Sequence, residues 1–221
     1  MNASTQAVLF DLDGTLIDSA PDLAGAGNEM RIARGWAPLP YEAFRPLVGS
    51  GARGMLGIAM QVGPDDEAFI PLRDEFLQRY EARMTRETRV FPDMHPVLDM
   101  LQAMQMPWGI VTNKAARFAE PLLHALGLHG RAATLVCGDT TARAKPHPDP
   151  LLEAARRVGL APQRCVYVGD DLRDVQAGRA AGMGTVVAAW GYLGLGDAIE
   201  AWGADHIIHS PAELLKLLGL A

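Results

Sequence analysis

The run AVLF, Ala7–Phe10, is continuously apolar and ends in two aspartates, Asp11 and Asp13, that flank one leucine before a Gly-Thr turn. An unbroken apolar run of this kind reads as a strand buried on both faces, as in parallel sheets covered by helices. Residues two apart on an extended strand point to the same side, so both carboxylates face one place at the C-terminal end of the strand. Burying one unpaired carboxylate is costly, and two close together also repel. Positive charge has to meet them there.

From about Val90 onward, β-rich runs alternate with helical patterns, as in doubly wound α/β proteins. The expected strands are WGIVT, ATLVCG, CVYVGD, GTVVAA and HIIH. Helices are expected around Pro92–Gln105, Ala115–Leu126, Asp149–Val158, Arg173–Ala181 and Pro211–Leu218. Gly127, Gly159, Gly182 and Gly219 are placed to close helices in the left-handed conformation. The ninety or so residues between AVLF and WGIVT carry no strand signal, only helical periodicity such as Phe69, Leu72, Phe76 and Tyr80. The sequence thus predicts a doubly wound parallel α/β core, residues 1–15 and 88–221, with a small helical cap inserted over residues 16–87. Within that cap, VGSGARGML, Val48–Leu56, reads as the most irregular part. In the Met-rich stretch MLQAMQM, Leu101 and Met104 read as helix core filling.

At 221 residues the chain can bury roughly 70 % of its unfolded surface, so it needs no staples. Cys137 and Cys165 sit in apolar runs and read as free core thiols. The net charge of -6 opposes a nucleic-acid surface, which selects for clustered Lys and Arg. No apolar run approaches the ~20 residues of a membrane helix, and Met1–Gln6 is short and polar, so a cytoplasmic address is expected. His206 and His209, three apart on a strand, face opposite sides and read as core or surface histidines rather than metal ligands.

In open α/β sheets ligands bind at the C-terminal strand edge. Three later segments are expected to reach the same edge as Asp11 and Asp13: VTNK with Thr112, Asn113 and Lys114; AKPHPDP with Lys145; and VGDDLRD with Asp170, Asp171 and Asp174. Four or five carboxylates cannot stay ionised together without cations, and hard oxygen ligands suit Mg²⁺. Lys145 adds a fixed positive charge.

In this order, DLDGTL, VTN, KP and GDDLRD resemble the four-motif signature of the haloacid dehalogenase superfamily of phosphohydrolases, and the helical insert resembles that superfamily's small α-helical cap. VTNK, KPHPDPLL, VGDD and the cap phrase GSGAR resemble its phosphoglycolate phosphatase branch. WGIVTNKAARFAEPL, VGDDLRD and WGAD also resemble the N-acetylmuramic acid 6-phosphate phosphatases. The resemblance implies a Mg²⁺-dependent phosphatase of a small phosphomonoester, acting as a monomer or homodimer without nucleic acid or membrane. Phosphoglycolate leads as substrate, with the muramic acid phosphate second. A sugar-phosphate mutase and a non-enzymatic binder are the competing readings.

The resemblance further implies that Asp11 is the nucleophile and a metal ligand. Asp13 would be the proton carrier, adding a main-chain carbonyl to the metal shell; its presence speaks against dehalogenation, which needs no leaving-group proton. Thr112 and Lys145 would bind the transferring phosphoryl oxygens, with Asn113 and Gly14 as further substrate contacts. Thr112 also suits a helix N-cap. Asp170 would be the main metal ligand outside the first motif. Asp174 would be either a ligand through water or a holder of Lys145, and Asp171 either part of the metal shell or a helix cap. Arg53 in the cap suits a substrate carboxylate, with a plain surface arginine as its other reading.

Overall fold

A computed structural model describes residues 5–220 of the protein. Met1–Ser4 and Ala221, assigned above to the core ends and the polar opening stretch, lie outside the described residues. AVLF forms β1 (Ala7–Phe10). It is followed by the short strand β2 (Ile17–Asp18), helices α1 (Ala20–Ala33), α2 (Tyr41–Phe44), α3 (Gly51–Met60) and α4 (Phe69–Glu81), and a second short strand, β3 (Arg89–Val90). Alternation then begins: α5 (Met94–Ala103), β4 (Trp108–Val111), α6 (Ala116–Ala125), β5 (Thr134–Val136), α7 (Asp149–Arg157), β6 (Cys165–Gly169) and α8 (Leu172–Ala181). The chain closes with β7 (Gly184–Ala188), β8 (His206–Ile208) and α9 (Pro211–Leu218).

The main sheet has six strands in the order β5-β4-β1-β6-β7-β8, every pair parallel. Alternate residues of β1 enter different cores. Val8 and Phe10 pack with α5, α6 and α9 on one face, through residues such as Leu98, Leu122 and Leu214. Ala7 and Leu9 pack with α7 and α8 on the other, through Leu151, Ala154 and Ala177. Two apolar faces account for the unbroken AVLF run. The glycines expected to cap helices all have positive φ, +68° at Gly127, +71° at Gly159, +73° at Gly182 and +72° at Gly219. Both cysteines are free and buried, and burial pushes each thiol up to about 11.

Three details differ from the sequence reading. The stretch without strand signal contains β2 and β3, which pair antiparallel across the insert, Ile17 opposite Val90 and Asp18 opposite Arg89. Two-residue strands are too short to leave a period. The glycine-rich Val48–Leu56 is ordered: a 3₁₀ turn over Arg45–Ser50 runs into α3. Its Gly54 serves close approach, since a Cβ there would lie 2.6 Å from the Leu47 carbonyl oxygen. Met104 is 55 % exposed rather than core, because α5 ends at Ala103 and its buried face is Met94, Val97, Leu98 and Leu101.

Helices α1, α3 and α4 pack on one another and, through Met30, Met55, Phe76 and Tyr80, join the same apolar cluster that covers one face of the sheet. Asp22 of α1 pins the returning chain. Its fully buried carboxylate accepts from the Glu87 and Thr88 N–H groups at 3.0 and 2.9 Å, from the Thr88 hydroxyl at 2.8 Å, and pairs with Arg83 at 3.4 Å. Removing it orphans the buried Thr88 donors and takes one of three carboxylate partners from Arg83, which keeps Glu29 and Glu87, so Asp22→Ala is expected to cost about 3 kcal/mol of unfolding free energy. Urea denaturation reads this directly: an unchanged midpoint would show that the latch carries no stability.

Candidate active site

Strand order reverses at β1, where the chain leaves toward β4 and β5 and later returns to β6 on the opposite side. The crevice beyond such a reversal is where open α/β sheets hold ligands. Asp11 follows β1, Thr112 follows β4 and Asp170 follows β6, so the three strands that meet at the reversal each deliver a side chain to one place. A cavity of about 350 Å³ lies there, between the sheet edge and helices α3 and α4.

Lys145, on the loop between β5 and α7, is buried at the bottom of this cavity. Its ammonium lies 2.9 Å from Asp11, 2.7 Å from Asp174, 2.7 Å from the Tyr167 hydroxyl and 3.1 Å from the Val111 carbonyl. Burial alone would lower its pKa, but the carboxylates of Asp11 and Asp174 outweigh that and hold it above its usual value. Asn113 fixes the loop from outside: its side-chain amide donates to the Lys145 carbonyl and accepts from the Lys145 N–H, both at 3.0 Å.

Asp170 accepts from the Thr15 hydroxyl at 3.0 Å and from the Tyr192 N–H at 2.7 Å. The backbone crowds against it: a Cβ on Gly14, at φ +86°, would lie 2.2 Å from its Oδ2, and one on Gly191 would lie 2.1 Å from its Cβ. Carboxylate oxygens of Asp11, Asp170 and Asp174 come within 4.8 Å of one another. Three carboxylates against the single Lys145 ammonium leave an excess of negative charge. Burial, opposed by Lys145 and reinforced by Asp174, raises Asp11 from 3.8 to about 7; burial and the neighbouring Asp11 and Asp174 raise Asp170 well above its usual range. A buried all-oxygen donor set with surplus negative charge fits a hard divalent cation.

Asp13 lines the same cavity outside the acidic triad. It pairs with Lys114 at 2.8 Å and accepts a short hydrogen bond from the Ser19 hydroxyl. Thr112 lines the cavity, and its hydroxyl accepts from the Lys114 N–H at 3.1 Å. It is not the cap of α6, because that helix starts later, with Ala115 at its N-cap. Asp171 is a helix cap: it accepts from the Arg173 N–H at 2.9 Å, is paired with the Arg173 guanidinium at 2.7 Å, and forms a capping box with Asp174. It lies outside the acidic triad. Asp174 carries both Lys145, on one oxygen, and the Asp171 N–H, on the other at 3.0 Å. Gly14 lies behind Asp170 and is not part of the cavity wall. Arg53 is exposed on α3 and does not line the cavity either, because helix α3 turns that position to solvent while Gly49–Ala52 form the wall.

Several wall residues carried little or no sequence signal. Lys114 and Arg173 sit inside motifs but have no fixed role in them. Tyr192 has no motif at all, yet its hydroxyl accepts from the Ser19 and Ala20 N–H groups at 2.9 and 3.0 Å and donates to Asp18 at 2.9 Å. It thereby ties the start of α1 to the loop that holds Asp170.

Residues 5–182 match the family model described as haloacid dehalogenase-like hydrolase. The chain is 47 % identical to a phosphoglycolate phosphatase of Xylella fastidiosa, covering 95 % of this chain and 91 % of that one. It is 41 % identical to the N-acetylmuramic acid 6-phosphate phosphatase of Pseudomonas aeruginosa, covering 98 % and 96 %. A crystal structure described as a predicted phosphoglycolate phosphatase from Haemophilus somnus superposes with a TM-score of 0.85 at 26 % identity, covering 98 % of this chain and 99 % of that one.

The raised Asp11 pKa gives a stability test. The folded state holds this proton more tightly than the unfolded chain, whose value is near 3.8, so stability present at low pH is lost as pH rises through about 7. The ionised form of the cluster is the one that would take a divalent cation. The rise in Tm on adding Mg²⁺ is therefore expected to be larger at about pH 8 than at about pH 5.5, and Asp170→Asn is expected to abolish it while raising the metal-free Tm. A Mg²⁺ shift that is equal at both pH values, or that survives Asp170→Asn, would contradict the cluster as the cation site.

Proposed function

The chain belongs to the haloacid dehalogenase-like hydrolase family, and from that premise we propose that it hydrolyses phosphomonoesters with Mg²⁺ through an aspartyl-phosphate on Asp11. The observation that carries this reading is the buried Lys145 ammonium, 2.9 Å from Asp11 at the floor of the cavity. A carboxylate is a weak nucleophile toward an anionic phosphate unless fixed positive charge neutralises the phosphoryl oxygens.

In this reading an Asp11 oxygen attacks phosphorus while the ester P–O bond breaks and the departing oxygen takes a proton from Asp13. Water then attacks the phosphorus of the aspartyl-phosphate, Asp13 takes its proton, and inorganic phosphate leaves. Lys114 and Ser19 hold Asp13 facing the cavity. Thr112 and Lys145 bind the phosphoryl oxygens, and Asn113 positions Lys145 through its backbone. Asp11, Asp170 and Asp174 would hold a Mg²⁺, whose charge would add to that of Lys145 in neutralising the phosphoryl group. Residues 16–87 act as the cap that excludes water, and the protein works in the cytoplasm on a small-molecule substrate.

The lead substrate is 2-phosphoglycolate, supported by the 47 % identical relative. N-acetylmuramic acid 6-phosphate is a second reading, favoured by a specific feature of the wall. Every cation lining the cavity among the described residues is already paired, Lys114 with Asp13, Lys145 with Asp11 and Asp174, and Arg173 with Asp171. None is left for the carboxylate of a glycolate, which stays beside its phosphate inside this wall, whereas the lactyl carboxylate of muramic acid is set across the sugar ring from the 6-phosphate.

Initial rates on 2-phosphoglycolate, N-acetylmuramic acid 6-phosphate and a sugar 6-phosphate, with Mg²⁺ and with chelator, test the proposal. Chelation is expected to abolish turnover and Asp11→Asn to lower kcat by at least about a thousandfold. Turnover surviving Asp11→Asn would sink the nucleophile assignment, and the ranking of the substrates decides the branch.

A further inference from the structure

The two walls of the cavity differ in chemistry. The sheet side carries the carboxylates and Lys145, whereas the opposite side is apolar, with Leu23, Val48, Phe76, Leu77 and Phe118. One polar group is set into that apolar side. Tyr80 of α4 lines the cavity and is 2 % exposed; its hydroxyl has no partner at hydrogen-bond distance among the described residues, and burial raises its pKa with only partial opposition from the nearby Lys114 ammonium. An unsatisfied buried hydroxyl costs about 1–3 kcal/mol, so its retention calls for a reason.

The ring that carries this hydroxyl is held in place. The Phe118 ring lies at 5.6 Å, tilted by 57°, and the Lys114 ammonium stands 5.0 Å from the Tyr80 ring centroid. The same ammonium binds Asp13 at 2.8 Å. A group docked on Tyr80 is therefore one side chain removed from Asp13, the residue that faces the ester oxygen in the proposed reaction.

We propose that Tyr80 is a specificity-determining residue: its hydroxyl hydrogen-bonds a neutral oxygen or amide on the portion of the phosphomonoester that is not transferred. That portion is a ring-sized body packed on Phe76, Leu77 and Phe118. The inference rests on the cavity being a phosphomonoester site. A cavity of about 350 Å³ has room for such a body. A carboxylate in that place would be desolvated against apolar side chains with no free cation to meet it.

Tyr80→Phe removes the hydroxyl and keeps the ring. Two readouts separate this inference from the proposed activity. The first is the ratio of kcat/KM for N-acetylmuramic acid 6-phosphate to that for 2-phosphoglycolate. The second is the Kd of N-acetylmuramic acid 6-phosphate, measured by calorimetry on Asp11→Asn with and without Tyr80→Phe. The ratio is expected to fall, and the Kd to rise, by about tenfold, the loss of one well-made hydrogen bond. Tm is expected not to fall, since the hydroxyl has no protein partner to lose. An unchanged ratio and Kd, a selective loss of 2-phosphoglycolate turnover, or a lowered Tm would each overturn the assignment. Should the parent protein turn over no phosphomonoester while the Kd still depends on Tyr80, the proposed activity fails and the Tyr80 assignment stands.

Discussion

The buried ammonium of Lys145 is the contact around which this end of the sheet is organised. An isolated cation there would be prohibitively costly, and it is stable only because Asp11, Asp174, the Tyr167 hydroxyl and the Val111 carbonyl surround it. Those partners come from the ends of β1 and β4, the middle of β6 and the first turn of α8, so the ion cluster is possible only where these elements converge. Loss of Lys145 would leave two buried carboxylates facing each other. Loss of either carboxylate would leave the ammonium underpaired.

The cluster is nonetheless unbalanced. Asp170 adds a third carboxylate that Thr15 and the Tyr192 N–H hold by hydrogen bonds without neutralising it. A protein selected only for stability would replace such a group, since well-packed apolar residues often do better than buried ions. Gly14 and Gly191 leave no space for a Cβ precisely where Asp170 must sit, so the backbone itself is shaped around the surplus charge. That local conflict between stability and charge marks the cluster as a functional-site candidate, in keeping with the proposed phosphoryl-transfer site.

Much of this was legible in the residues. AVLF flanked by aspartates predicts a doubly buried strand with a charged end, and the alternating pattern after Val90 predicts the parallel sheet whose strand ends meet it. The positions of Thr112, Lys145, Asp170 and Asp174 follow, because each comes just after a strand or lies on the loop between strand and helix. Position along the chain, however, does not show how side chains pair across it. Asp171 could be assigned to its helix cap only once Arg173 was seen beside it, and Arg53 looked suited to the cavity until the helical turn of α3 directed it to solvent. Met104 falls just beyond the end of its helix, where periodicity no longer governs burial. Tyr192 and Tyr80 lie far in sequence from the motifs, and only three-dimensional packing brings them to the cavity wall.

The central claim is that Asp11, and not Asp13, takes the phosphoryl group. Acid quenching during turnover, followed by borohydride reduction and peptide mass spectrometry, tests it most directly, because reduction of an aspartyl-phosphate leaves homoserine at the attacking position. The account predicts homoserine at position 11 and unmodified aspartate at position 13. Homoserine at position 13, or none at either position while phosphate is being released, would contradict it.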